Sequence, residues 1–240
     1  MIFVETLKPR LSDIDYTGHV SYESILKILE DVGTHHSDAQ GDKIISREDG
    51  DLAWILAEWH VEIIKRLDKR EDITVESWIS GKRDSLFFFR NFIIMTADGD
   101  ICVRAQTKLL LVDIKTMKPL RISGEIYDKF DPEENSAIEV LPRIKAAERY
   151  ECTVPLYICN DDIDFNGHVH NTRYLGFALS ALPYDVSKEM DISEIHFSCR
   201  QALKPEDQAE VRYIIKDGEA HFAITVNGKE YMLMDIKTRA

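Results

Sequence analysis

The stretch Asp13-Ile14-Asp15-Tyr16-Thr17-Gly18-His19-Val20 returns later in the chain as Asp162-Ile163-Asp164-Phe165-Asn166-Gly167-His168-Val169. Six of the eight positions are identical, and a seventh exchanges one aromatic ring for another. Coincidence is a poor account of such a match, so the chain reads as an internal duplication. A second echo, Asp113-Ile114-Lys115-Thr116 and Asp235-Ile236-Lys237-Thr238, runs in the same order.

Each half repeats one pattern around its copy of the motif. Tyr22, Ile25, Leu26, Leu29 and Val32 recur at helical spacing, and Tyr174-Leu175 through Leu182 repeats this until Pro183 stops it. The remainder reads as strand. Leu86–Met95 and Ile101–Val112 are β-branched and aromatic runs about an Asp98-Gly99 turn, and Asp217-Gly218 and Asn227-Gly228 are two further hairpin signals. Hairpin-linked strands are antiparallel, so each half is one helix against an antiparallel sheet, an α+β arrangement. The expected domains are residues 1–124 and 151–240, with 125–150 as a linker holding one short helix. The first half is the longer, and an insertion is expected near Thr34–Asp51.

Composition narrows the function. The 240 residues carry 30 basic and 43 acidic side chains, a net charge of -13, which argues against a nucleic-acid protein. No apolar run approaches the roughly 18 residues a membrane helix needs. Glu5, Lys8 and Arg10 within the first eleven residues do not read as a signal peptide. Cys102, Cys152, Cys159 and Cys199 form no CxxC pair and read as free thiols, which suits a reducing cytoplasm. The charge is uneven: residues 65–121 carry a net +4 against -8 before them and -9 after.

The second copy of the motif is the richest in chemistry. Asp164, Asn166 and His168, followed by His170 and Asn171, put a carboxylate, an amide and imidazoles at a strand-to-helix junction. Folded inward, they bind and activate a water, and the following helix start offers backbone N–H groups to an oxyanion. The alternative is a tight polar turn in which Asp and Asn satisfy the backbone and Gly167 takes an unusual conformation. Spacing alone slightly favours the turn.

The pattern Asp-x-Asp-x-x-Gly-His-Val followed by a Tyr-bearing helix resembles the signature of hot-dog thioesterases. Asp164 through Asn171 is similar to the Asp-Val-Asn-Gln-His-Val-Asn-Asn motif of fatty acyl-acyl-carrier-protein (acyl-ACP) thioesterases. Trp54-Ile55-Leu56, Ser77-Trp78-Ile79 and Arg104-Ala105-Gln106-Thr107 before Leu109-Leu110-Leu111 extend the likeness over essentially the whole chain. The resemblance implies two tandem hot-dog domains, each an antiparallel sheet wrapped around one long helix. The N-terminal one would bind the acyl chain and dock the carrier, and the C-terminal one would catalyse. It implies an active site of Asp164, Asn166 and His168, with Asn171, Ser198 and Cys199 as secondary members. Two departures stand out: His170 replaces the first Asn of the family's pair, and Ser198 stands where the family has a Glu before Cys199. Glu194 shares the strand parity of Ser198 but lies about 13 Å along the strand.

A thioester's leaving thiol has a pKa of about 8.5, so no strong general acid is required. Asp164 is expected as base or nucleophile, with Asn166 and His168 positioning it and the water, and backbone N–H groups near His168 holding the oxyanion. Asp15 and His19, with Thr17 in place of Asn166, read as turn residues left from the duplication. Cys199 reads as a small core residue more than a nucleophile, and no metal or other cofactor is expected, the pair His168-x-His170 included. His35, His36 and His60 read as surface or turn residues. Trp54, Trp59, Trp78 and Phe87–Phe89 read as core, with some able to line an acyl tunnel.

The basic segment, through Lys65, Arg66, Lys69, Arg70, Lys82 and Arg83, is expected to dock an acidic acyl carrier protein that the body of the molecule repels. The commoner role of such charges is hairpin solvation. The expected protein is a cytoplasmic monomer or homodimer that releases fatty acid from acyl-ACP. Acyl-coenzyme A hydrolysis, enoyl hydration or dehydration, and non-catalytic acyl binding are the alternatives.

Overall fold

The computed structural model describes residues 1–42, 44, 51–68, 71–81, 85–139 and 143–239. The chain divides into two compact units, Met1–Val140 and Leu141–Ala240.

In the first unit, the helix α1 (Tyr22–Ala39) runs for 18 residues. Ser21 caps it, its hydroxyl accepting the Ser24 N–H at 3.0 Å, and Ile25, Leu26, Leu29 and Val32 form its buried stripe. The strands are β1 (Phe3–Leu7), β2 (Leu52–Ile63), β3 (Ile73–Ser80), β4 (Phe87–Thr96), β5 (Ile101–Asp113) and β6 (Lys118–Leu120). They pair antiparallel in the order β1-β3-β4-β5-β2, with β6 on the end of β5. Ile79, Arg90, Thr107 and Trp59 lie opposite one another across β3, β4, β5 and β2 and so share one face. Gly33 of α1 meets that face where an added Cβ would stand 3.2 Å from both Arg90 Cδ and Phe92 Cζ.

The segment expected as a linker is divided: residues 125–139 are built into the first unit and residues 143–150 into the second, where Ile144 and Tyr150 pack with Ala223 and Leu233. It opens with α2 (Gly124–Asp128), and Tyr127 and Phe130 join Ile79, Phe88, Leu111 and Ile122 in one apolar cluster. Residues 135–137 then cross the other face of the sheet. Trp78 Nε1 donates to Asn135 O at 2.9 Å. Asn91 Oδ1 accepts from Gln106 Nε2 (2.9 Å), Ser136 Oγ (3.0 Å) and the Ala137 N–H (3.1 Å). Apolar residues spaced through an otherwise polar stretch supply the cause: Tyr127, Phe130 and Ile138 are buried.

The second unit repeats the sheet order as β8-β11-β10-β9-β7, from β7 (Cys152–Leu156), β8 (Ile192–Cys199), β9 (Ala209–Lys216), β10 (Glu219–Val226) and β11 (Lys229–Thr238). Asp217, Gly218, Asn227 and Gly228 all take positive φ, the backbone that two-residue hairpins require. The helix is shorter than expected. α3 (Arg173–Ser180) has eight residues, and after Pro183 a separate α4 (Tyr184–Glu189) begins. Proline disfavours helical backbone in the residue before it, which ends α3 where α1 continues. Tyr174, Leu175, Phe177 and Ala178 still bury the inner side of α3.

Two sequence expectations change here. Asp113 closes β5 and pairs with Leu52, whereas Asp235 lies inside β11 opposite His196, so the second echo is not structurally equivalent. The enlargement of the first half is better measured from matching hydrogen bonds. Val20 N–H to Leu67 O and Val169 N–H to Leu203 O are both 2.9 Å, and the first pair is 13 residues further apart in sequence. Part of the Thr34–Asp51 insertion is the last turn and a half of α1. Lys43 and residues 45–50 lie outside the described residues.

Candidate active site

The duplicated motif folds twice into nearly the same loop. In the second unit, the Asp164 N–H donates to His168 O at 2.8 Å and the Gly167 N–H to Asp164 O at 3.0 Å. Gly167 has φ of 77°, which is why glycine occupies the turn. Asp164 Oδ1 accepts the backbone N–H groups of Asn166 (2.7 Å) and His168 (3.1 Å). In the first unit the corresponding bonds are Asp15 N–H to His19 O (2.8 Å) and Gly18 N–H to Asp15 O (3.1 Å). There Asp15 Oδ1 accepts from Thr17 (2.9 Å) and His19 (3.4 Å). Both aspartates therefore shape a turn, as the bland reading of the spacing held.

What differs is the second carboxylate oxygen and the histidine ring. Asp15 Oδ2 accepts from Arg66 Nη2 at 2.7 Å, and the same guanidinium bonds Tyr22 Oη at 2.9 Å and lies 4.2 Å over its ring. The Asp15 carboxyl, pushed up by burial, is drawn below its ordinary range by its bonds to Thr17 and Arg66. His19 is held from both sides, Nδ1 by Thr17 Oγ1 at 3.0 Å and Nε2 by Asp68 Oδ1 at 3.3 Å. In the second loop, Asp164 Oδ2 accepts instead from Asn166 Nδ2 at 3.1 Å. A carboxylate can only accept, so this bond fixes which end of the amide is nitrogen. Asn166 Oδ1, at the other end, is buried and accepts no hydrogen bond from the described residues. The half-buried His168 ring has none from them either.

Asp162 holds the loop to the helix. Its side chain is 4% exposed and accepts from Arg173 Nε (2.7 Å) and the Cys159 N–H (2.7 Å), while its carbonyl accepts the His170 N–H at 2.8 Å. His170 Nδ1 pairs with Thr172 Oγ1 at 3.0 Å. The N–H groups of His168, Val169 and His170 are thus all engaged, so they do not serve an oxyanion as the sequence had suggested. Those of Asn171 and Thr172, at the start of α3, carry no bond among the described residues.

Ser198 and Cys199 end β8, opposite Leu233 and Met232 of β11. Alternation sends them to opposite faces. Ser198 shares its face with Leu233 and Ala223, which cluster with Ile144 and Tyr150. Burial pushes the Cys199 thiol up to about 12, so it is no nucleophile at neutral pH. Burial likewise raises the Tyr174 hydroxyl, which accepts the Leu203 N–H at 3.0 Å. Glu194 is ion-paired with Lys237 at 3.1 Å.

The basic segment is less uniform than its charge. Arg66 turns inward to Asp15 and Tyr22 and presents no docking charge, because its side chain is only 18% exposed. Lys65 is exposed and faces Asp100 at 3.6 Å. Lys69, Arg70, Lys82 and Arg83 lie outside the described residues. Two histidine readings also change. His36 is fully buried on α1 and His60 is buried on β2, while His35 is exposed and meets Glu5 at 2.8 Å. The polar neighbours His35 and Ser37 hid the burial of His36, whereas His60 stands between Trp59 and Val61 in an apolar stretch that could have revealed it.

The model of the acyl-ACP thioesterase N-terminal domain matches residues 1–130, and that of the C-terminal domain matches residues 146–238. A curated relative, the chloroplastic oleoyl-acyl carrier protein thioesterase 1 of Arabidopsis thaliana, is 22% identical over 228 residues. That match covers 85% of this chain and 61% of the relative. The chain thus spans about three fifths of that relative's length. Among solved structures, a 12:0-ACP thioesterase from Umbellularia californica superposes with a TM-score of 0.89 at 17% identity, over 99% of this chain and 97% of that one. An acyl-ACP thioesterase from Bacteroides thetaiotaomicron gives 0.85 at 21% identity, over 99% and 98%. At such identities the likeness establishes the fold, a hot-dog in each half.

Proposed function

Because the chain belongs to the acyl-ACP thioesterase family, we propose that it hydrolyses acyl-ACP to free fatty acid and that the second loop carries the chemistry. The observation behind this is Asn166 Oδ1, a buried acceptor with no protein donor, held in place by Asp164 through Nδ2. A buried unsatisfied acceptor costs about 1–3 kcal/mol. A site that must seize a water recovers that cost when the water donates to it.

In this reading Asn166 Oδ1 and the His168 ring take the attacking water, and His168 removes its proton. Asp164 orients Asn166. Its carboxylate already accepts three hydrogen bonds, which engage both oxygens, so orientation suits it better than attack. The Asn171 and Thr172 N–H groups, which carry no bond among the described residues, are the donors left to receive the developing oxyanion. The thiol leaves readily, so the missing Glu at Ser198 does not stop the reaction. The first loop, its aspartate and histidine both occupied, keeps the fold while its unit receives the acyl chain. Carrier docking by Lys65, Lys69 and Arg70 is supported by the local charge alone. Four free cysteines support a reducing compartment such as the cytoplasm.

Thiol release from acyl-ACP and acyl-coenzyme A, run with wild type and Asn166→Ala, tests the assignment. The expected result is turnover on acyl-ACP and a loss of about 10²–10⁴-fold in the variant. Undiminished turnover by Asn166→Ala would sink the site. A single turnover in heavy-oxygen water separates the roles of Asp164: label in its side chain would restore it as nucleophile.

A further inference from the structure

On the first unit's inner face, away from the duplicated loop, stands a buried cation with no carboxylate of the described residues in contact with it; Asp42 acts on it only from a distance. Arg90 is 4% exposed, and no carboxylate of the described residues lies within 4 Å of its guanidinium. Its Nη2 donates to Ser37 Oγ at 2.7 Å, and its Nη1 is buried with no partner among the described residues. His36, fully buried on the same turn of α1, meets Ser77 Oγ through Nδ1 at 3.1 Å and leaves Nε2 buried and equally unpartnered. The two groups flank one ring: the guanidinium carbon lies 5.5 Å from the Phe130 centroid, and the imidazole 5.4 Å, edge to face. Phe3 stacks on the other side of His36 at 5.3 Å.

We infer that Arg90 Nη1 and His36 Nε2 mark a buried binding site for a small monovalent anion of the size of chloride. An ion removed from water without a partner costs several kcal/mol even after relaxation. Asp42, the nearby buried acid, attracts Arg90 through space, but its oxygens are bonded by Trp54 Nε1 (2.9 Å) and the Ile44 N–H (3.1 Å) and do not reach Nη1. Burial lowers Arg90 only to about 10, so it keeps its charge at neutral pH. The same burial, with Arg90 beside it, holds His36 neutral. An anion selects the tautomer in which the Ser77 hydroxyl donates to Nδ1 and Nε2 carries the proton, adding a second donor. The aromatic walls, and an α1 so close that even a methyl at Gly33 would press on Arg90 Cδ, suit a small ion and exclude a phosphate.

Crystals of the full chain soaked in sodium bromide and measured at the bromine edge test this directly. An anomalous peak in hydrogen-bonding contact with Arg90 Nη1 and His36 Nε2 is expected. An ordered water there, or no density, would overturn the inference. In solution, bromide titrated against gluconate at constant ionic strength should raise the Tm of wild type by about 2–4 °C and saturate, but leave Arg90→Met unmoved. An equal response in both proteins would overturn it too. Should Arg90→Met fail to fold, the diffraction measurement on wild type decides alone.

Discussion

Arg66 grips Asp15 at 2.7 Å in the first loop, and Asp164 of the second loop has no such partner among the described residues. Arg66 immediately precedes Leu67, whose carbonyl accepts the Val20 N–H, while Ala202 precedes Leu203, which does the same for Val169. Asp68, which binds the His19 ring, is matched in the same way by Lys204. Two exchanges, Arg to Ala and Asp to Lys, thus separate a loop whose acid and imidazole are both occupied from one whose imidazole has no hydrogen-bond partner among the described residues.

Replacing Arg66 by Ala should leave hydrolysis within about twofold and cost roughly 1–2 kcal/mol of stability, since a part-buried Asp15 loses its partner. Asp15 has a depressed folded pKa. The stabilisation it gives is therefore present above its ordinary value of 3.8 and fades as pH falls through the lower folded value. Urea unfolding of both proteins at pH 7 and pH 3 checks this: the gap should be full at pH 7 and narrowed at pH 3.

Asp164→Asn should remain folded, because an amide oxygen can still accept the N–H groups of Asn166 and His168. It should lose most of its turnover, because the second oxygen becomes an NH₂ that repels Asn166 Nδ2 and unseats the amide. Circular dichroism beside a kcat measurement distinguishes this from unfolding. A variant with full kcat would contradict the assigned role.

Cys199→Ala should keep hydrolysis within about threefold, as its thiol stays protonated to about 12. In the native protein at pH 8, iodoacetamide should label the exposed Cys159 well before Cys199. Peptide mapping of the time course reads both, and early labelling of Cys199 would contradict its burial.

Asn91→Leu should destabilise the first unit by about 1–3 kcal/mol, because a buried Gln106 donor and two part-buried donors, Ser136 and Ala137, lose one acceptor together. Thermal unfolding should show the loss, and limited proteolysis should cut first near Ser136, which Asn91 holds to the sheet.

Reversing Lys69 and Arg70 to Glu should raise the KM for an acyl-ACP substrate and spare a small acyl thioester. Equal effects on the two would count against carrier docking by this segment.

The sequence by itself determined the duplication, the helix-on-sheet order of each half, the hairpins at Asp217-Gly218 and Asn227-Gly228, and the family. These depend on local periodicity, turn chemistry and a contiguous motif, all of which survive in one dimension. Tertiary structure decided the rest, because contacts between residues far apart in sequence leave no local trace. Arg66 is one of a run of basic residues until the fold brings it to Asp15, 51 positions earlier. His36 looks like a polar helix residue until Phe3 and Phe130 close on it. Asp164 and Asn166 were legible as a pair. That their bond leaves Asn166 Oδ1 buried without a donor, while Asp15 is tied to a cation, depends on what the fold packs around each loop.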